Sequence, residues 1–126
     1  MSRIDVHELR RTARLTDSQL REITHHRGLC SRNADRADEW FLPEPNPGST
    51  KARDAYERRA EELCCGCPVR VECLEFALRR ETGHAAWGVW GGLAPWRREE
   101  LVQIRRDADR DDEVVTRTAR ALSGVG

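Results

Sequence analysis

The sequence predicts an all-α fold, a small helical domain organised around a set of cysteines. Apolar residues recur at helical spacing, capping residues precede these segments, and no segment convincingly resembles a strand. Only 38% of the 126 residues are hydrophobic, whereas 35% are charged. We expect a chain this short, with so few aliphatic side chains, to need a metal, a cofactor or a partner to stay folded.

Composition and helix signals divide the chain into three parts. We predict an N-terminal helical arm, a central cysteine-containing domain, and a C-terminal helix with a polar tail, which are residues 1–29, 30–98 and 99–126. Beyond about residue 107 the sequence is polar, and we expect this tail to be frayed.

Capping and breaking residues predict where the first helices begin. Thr16 starts a capping box in the N-terminal arm, because a glutamine follows three residues later. The segment 41–49 contains three prolines and a glycine and therefore predicts a loop. Ser49 or Thr50 can then cap a helix that runs to Leu63.

Two further helices flank a glycine-rich turn. Pro68 suits the first turn of a helix over 68–81, since a helix start needs no donor there. Its inward-facing residues are expected to be Val71, Leu74 and Leu78. The segment 83–92 is too rich in glycine for a helix, and Pro95 can open the last helix. The residues of that helix expected to face inward are Leu101, Val102 and Ile104.

Charge and hydropathy argue against several classes of protein. The 22 basic and 22 acidic residues cancel, so bulk charge does not indicate a nucleic-acid-binding protein. No segment approaches the roughly 18 apolar residues of a membrane helix, and the N-terminus lacks the apolar region of a signal peptide. We therefore expect no membrane association and a cytoplasmic location, where thiols stay reduced.

Four of the five cysteines have the spacing of a metal-binding set. Cys64 and Cys67 form a C-x-x-C, Cys73 follows after five residues, and Cys30 precedes Cys64 by 33 intervening residues. Four thiolates suit either zinc or an iron–sulfur cluster, and the spacing alone leaves both open. His25 and His26 lie near Cys30, but we expect them to be solvated or structural because the cysteine set is complete.

Aromatic residues cluster on both sides of the cysteine-rich segment. We expect Trp87 and Trp96 to be core residues, since aromatics bury large areas in small domains. Trp90 has glycine neighbours that leave its indole presented, so we predict a partner-binding role. Trp40 and Phe41 are expected to cover the metal centre from the loop side.

The cysteines combined with the glycine-rich turn form a more specific motif. The stretch CCGCPVRVECLEFAL, followed by GVWGG at 88–92, resembles the WhiB-like proteins of actinobacteria and their phages, which are small iron–sulfur transcription factors. The family pattern is one upstream cysteine, C-x-x-C-x5-C and G-[VI]-W-G-G. All four cysteines and all five turn residues match, and the resemblance covers about residues 30–98.

The resemblance implies a cofactor, a partner and a function. It implies a [4Fe-4S] cluster, sensitive to oxygen and nitric oxide, whose ligands are Cys30, Cys64, Cys67 and Cys73. It implies docking on a sigma factor of RNA polymerase through the turn residues Gly88, Val89, Trp90, Gly91 and Gly92. The chain is therefore predicted to be a redox- or nitric-oxide-responsive transcriptional regulator and not an enzyme.

Two features depart from the family pattern. Cys65 is an additional thiol, which we expect not to be a ligand because its neighbour already is. Residues 97–126 contain seven arginines and seven acidic residues, unlike the basic tail of many members. Phosphate binding needs net positive charge, so we expect promoter DNA to be reached through the sigma factor. The alternatives are a thiol–disulfide reductase that uses Cys64 and Cys67 in the cluster-free form, and a structural zinc module.

Overall fold

Helices form almost all the regular structure in the computed structural model, which describes residues 6–83 and 85–123. The elements are α1 (Val6–Ala13), α2 (Asp17–Arg27), α3 (Leu29–Arg32), a 3₁₀ helix (Ala34–Trp40), α4 (Thr50–Cys64), α5 (Arg70–Glu81) and α6 (Pro95–Ser123). Within the described residues, the β-type pairing is a single bridge between Trp90 and Leu93. The predicted all-α class is confirmed.

The predicted caps of α2 and α4 are both present. Thr16 accepts a hydrogen bond from the backbone N–H of Gln19 at 3.1 Å, and its own N–H donates to the Gln19 side chain at 2.8 Å. Ser49 Oγ accepts from the N–H of Ala52 at 3.2 Å. These bonds satisfy amides that the first helical turn leaves without partners.

Helix α5 lies at the centre of the packing, since α1, α2 and α6 all contact it. Its residues Val71, Leu74 and Leu78 are buried, as predicted. Leu74 and Leu78 pack with Val102 of α6. The helix begins at Arg70 rather than at Pro68, because Pro68 and Val69 form a turn before it.

A second apolar cluster joins the 3₁₀ helix to α4 and to the glycine-rich turn. Trp40, Tyr56 and Val89 are buried within it, and Trp96 packs against it. The Trp96 ring lies 5.0 Å from that of Tyr56, and its Nε1 donates to a Glu57 carboxylate oxygen at 2.6 Å. The prediction that Trp96 contributes to the core is confirmed.

Two apolar side chains are more exposed than the sequence predicts. Trp87 is 67% exposed and Ile104 is 62% exposed, so the core positions predicted for both are wrong. Trp87 instead packs at the surface against Phe41, with 5.3 Å between the ring centroids and the rings tilted by 47°. Ile104 points away from α5, because Leu101 and Val102 form the contact face of α6.

Helix α6 continues far beyond the point where we expected fraying, so that prediction is wrong. It extends to Ser123, although the side chains of 107–113 and 116–120 are exposed. Polar pairs along its surface support the helix: Gln103 donates to Asp107 at 3.0 Å and Arg117 to Glu113 at 2.6 Å. No helix within 6–83 and 85–123 has the length and apolar character needed to cross a bilayer.

Candidate functional site

Four cysteines share the wall of one cavity of about 220 Å³. They are the four that the sequence predicts, and each comes from a different local structure: Cys30 from α3, Cys64 from the end of α4, Cys67 from the following turn and Cys73 from α5. Cys65 is exposed and does not line the cavity. The structure therefore separates the fifth thiol from the other four, although it is adjacent in sequence to Cys64.

The C-x-x-C segment turns both of its thiols toward the cavity. The backbone N–H of Cys67 donates to the carbonyl of Cys64 at 3.0 Å, which closes a tight turn at the end of α4. Cys30 is brought close by the α2–α3 junction at Gly28. A Cβ on Gly28 would lie 2.6 Å from the carbonyl oxygen of Thr24 and 3.8 Å from Cys30 Sγ. A larger residue at this junction would therefore displace the segment that carries Cys30.

Burial makes two of these thiols, Cys64 and Cys73, poor at losing a proton without a metal. It raises the pKa of Cys64 to about 11, while hydrogen bonds from the Gly92 backbone and the Trp40 side chain act in the opposite direction. Burial also raises the pKa of Cys73, against a hydrogen bond from the Gly91 backbone. A metal that binds here must therefore displace the thiol protons.

The four cysteines line the cavity without forming a ready-made site for a single ion. Among the described residues, no group of three or more His, Cys, Asp or Glu side chains is arranged to hold a metal ion directly. Trp40 lines the same cavity, where the sequence placed it, whereas Phe41 does not line it and borders the neighbouring concavity. That Trp40 covers a metal centre stays a prediction. His25 also borders the cavity, although its side chain is largely exposed to solvent.

The glycine-rich turn contains a tight two-residue hairpin. Trp90 and Leu93 exchange backbone hydrogen bonds of 3.4 and 3.1 Å across Gly91 and Gly92. Both glycines have positive φ, +63° and +78°, as the central residues of a type I′ turn require. The hairpin places two N–H groups at the sulfurs of Cys73 and Cys64.

The turn residues that we predicted to bind a partner are mostly buried. Gly88, Val89, Gly91 and Gly92 are buried and Trp90 is half-buried. A Cβ on each glycine would come within 3.0 Å of an atom of the same chain, in Phe41, Leu74 and Arg70 respectively. The space beside these glycines is thus filled by other residues of the same chain. The partner-binding role of the turn stays a prediction.

Sequence reasoning missed two buried arginines that hold this turn. Arg98 is fully buried; its guanidinium pairs with Glu81 and donates to the carbonyls of Trp87, Gly88 and Leu93 at 2.7–3.0 Å. Arg70 Nε donates to the carbonyl of Gly91 at 3.0 Å. Arg98 belongs to the charged run Arg97–Glu100, and no local pattern distinguishes a buried arginine in such a run.

A second concavity, which we call the aromatic groove, adjoins the cysteine cavity. Its volume is about 390 Å³, and its aromatic residues are Phe41, Phe76, Trp87 and Trp90. Phe76, Arg80 and Trp90 border both the groove and the cysteine cavity. Trp87 and Phe41 leave an exposed apolar surface at this groove, a feature typical of contact sites.

Comparison with known proteins agrees with this arrangement. The family model described as transcription factor WhiB matches residues 25–101, a segment that contains all four cavity cysteines and the turn. Transcriptional regulator WhiD of Streptomyces coelicolor is 43% identical over 85 residues, covering 68% of this chain and 67% of WhiD. Redox-responsive transcriptional regulator WhiB3 of Mycolicibacterium smegmatis is 42% identical over 84 residues, covering 65% of this chain and 80% of WhiB3.

A third relative matches a shorter segment. Transcriptional regulator WhiB7 of Mycolicibacterium smegmatis is 47% identical over 55 residues, and the match spans 44% of this chain and less than half, 42%, of WhiB7. No solved structure matches the chain significantly. Since the family model covers more than half of the residues and includes the whole cysteine set, the chain belongs to the WhiB family of transcription factors.

Proposed function

We propose that this protein is a cytoplasmic transcriptional regulator that holds a [4Fe-4S] cluster and acts with a sigma factor of RNA polymerase. One observation carries the proposal: four cysteines line one cavity while the fifth is exposed. The proposed ligands are Cys30, Cys64, Cys67 and Cys73. When bound, the cluster would supply a redox-active centre that reacts with oxygen or nitric oxide.

The protein supplies more than the four sulfurs. The N–H groups of Gly91 and Gly92 reach two of them, and hydrogen bonds of this kind help to set the properties of iron–sulfur centres. Trp40 and Val89 border the same cavity with apolar surface, which limits the access of water. Iron would replace the thiol protons that burial retains in the metal-free chain.

Metal analysis of anaerobically purified protein tests the cofactor. We expect brown protein that contains iron and acid-labile sulfide. Cys→Ser replacement at each of the four cavity positions should abolish the iron content. Cys65→Ser is the matched control and should keep it, because that thiol does not face the cavity. Colourless wild-type protein that contains zinc would contradict the proposal and support a structural zinc module.

The aromatic groove supports a docking site beside the cluster. Trp87 and Phe41 are 67% and 45% exposed, and Trp90 extends from the groove to the cysteine cavity. A partner seated there would contact large rigid side chains that lose little entropy on binding. We propose that this partner is the sigma factor, and that it brings the neutral regulator to promoter DNA.

Sigma-factor binding by the iron-loaded protein tests the docking site. Trp90→Ala should weaken binding by about 2 kcal/mol or more, roughly thirtyfold, as truncation of a central aromatic anchor does. Trp87→Ala is a second variant with little structural risk, since its side chain is largely exposed. Ile104→Ala is the control, because Ile104 is similarly exposed but lies on α6 outside the groove. Equal binding by all three variants would contradict the docking site.

We further propose that loss of the cluster is the signal. Oxygen would oxidise the cluster, and two of the freed thiols could then give up two protons and two electrons to oxygen to form a disulfide, with Cys64 and Cys67 the nearest in sequence. Nitric oxide should bleach the visible spectrum, and disulfides should be found by mass mapping after exposure to air. A cluster that resists both gases would indicate a structural role. The raised pKa of Cys64 does not favour the reductase alternative, which needs a reactive thiolate.

A further inference from the structure

Arg70 is a buried cation on the wall of the cysteine cavity. Its side chain is 9% exposed, although it is the first residue of α5 and follows Cys67 by only three positions. Its guanidinium pairs with both carboxylate oxygens of Glu61, and the Nη1 bond is 3.0 Å long. This two-point pairing fixes the plane of the guanidinium, which a lysine ammonium could not reproduce.

The same guanidinium supports the hairpin that faces the cysteines. Arg70 Nε donates to the Gly91 carbonyl at 3.0 Å. A Cβ on Gly92 would lie 2.5 Å from Arg70 Nη2, so the guanidinium packs directly against the Gly92 backbone. Gly91 lines the same cavity as Cys64 and Cys73. Hydrogen bonds from the Gly91 and Gly92 backbone act to lower the pKa of Cys73 and Cys64, against the rise that burial causes. Arg70 therefore determines where two of the donors to the cysteine sulfurs are placed.

We propose that Arg70 is a positioning residue that orients the Gly91–Gly92 amides toward the cysteine sulfurs and raises the reduction potential of the bound centre. This inference rests on the proposed cluster. Reduction adds negative charge to a thiolate-ligated centre, and both a nearby guanidinium and aligned N–H donors stabilise that charge. Glu61 holds the guanidinium in place but lies outside the cavity lining.

Two substitutions separate the charge of Arg70 from its geometry. Arg70→Gln removes both, and the cluster potential should become more negative. Arg70→Lys keeps a positive charge, so its potential should stay closer to that of the wild type. Both variants should release iron to a chelator about tenfold faster or more, the usual effect of removing an outer-shell partner. The potential is measured by anaerobic spectroelectrochemistry, and iron release by absorbance.

Arg79→Gln is the matched control on the same helix. Arg79 pairs with Glu75 and Asp17 and donates to carbonyls near the end of α1, but it does not line the cysteine cavity. This variant should melt at a lower temperature with an unchanged potential. An equal potential shift in Arg79→Gln, or a wild-type potential in Arg70→Gln, would overturn the inference. Wild-type protein without iron would instead overturn the proposed function and, with it, this inference.

Discussion

Gly91 occupies a position where backbone conformation and packing both exclude a side chain. Its φ is +63°, and an added Cβ would lie 2.6 Å from the Cβ of Leu74 on α5. Leu74 is itself 2% exposed and cannot move aside without disturbing the core. A methyl group at Gly91 would therefore push the hairpin away from α5, and with it the N–H that bonds to Cys73.

We predict that Gly91→Ala lowers the free energy of unfolding by about 1–3 kcal/mol, the cost of a strained left-handed backbone. It should also lower the iron content, because the hairpin amides leave the sulfurs. Gly83→Ala is the matched control, since nothing lies within 4 Å of an added Cβ there and no positive φ is required. Anaerobic urea unfolding measures both variants, and equal losses would contradict the assignment.

Some of these site residues could be predicted from residue type and spacing, whereas others gave no signal in the local sequence. A thiol set or a glycine pair has few roles, so its spacing in the sequence indicates a site. An arginine is usually solvated, and nothing near Arg70 or Arg98 in the sequence identifies the carbonyls 21 and 10 positions away that they contact. The core position predicted for Trp87 was wrong because an aromatic side chain can lie in a core or at the surface, and composition does not distinguish the two.

Arg98 links the start of α6 to the glycine-rich turn through hydrogen bonds. The helix begins at Pro95, so this arginine lies in its first turn, yet its side chain is 0% exposed. Its partner Glu81, at the end of α5, has a side chain that is only 10% exposed. One ion pair thus connects α5, α6 and the turn, and removing either charge leaves the other buried without compensation.

We predict that Arg98→Gln lowers the free energy of unfolding by about 3–5 kcal/mol, as for other broken buried pairs. The neighbouring Arg97 is the control: it binds Glu57, but its side chain is 49% exposed. Arg97→Gln should cost about 1 kcal/mol or less, because solvent screens such pairs. Thermal melting measures the stability of both variants. A similar loss of stability in both would show that the burial of Arg98 does not increase the contribution of its ion pair.

Three helix starts were predicted correctly, whereas the end of the last helix was not. Thr16, Ser49 and Pro95 each have a side-chain reason to begin a helix, and all three predictions are confirmed. The length of α6 had no such signal, since the segment 105–113 is polar except for Ala108. Pairs of opposite charge along the surface, such as Glu113 and Arg117, stabilise the helix there.

The whole molecule is predicted to depend on the cluster for its stability. Cys30, Cys64 and Cys73 lie on three different helices, and the loop between the first two spans 33 residues. Removing iron with a chelator under anaerobic conditions should lower both the helical circular dichroism signal and the melting temperature. Unchanged values in the metal-free protein would show that the apolar clusters around Trp40 and Leu74 suffice to hold the fold.

Because Cys65 is exposed, the number of thiols that react with a label would report whether the proposed cluster is bound. In the iron-loaded state four of the five thiols would be occupied, so a maleimide dye should attach once per chain. Each chain that loses its iron under reducing conditions would offer up to five attachment sites. Mass spectrometry after a brief labelling pulse would then show two separate populations, and their ratio would follow cluster loss in a mixture without any need for colour.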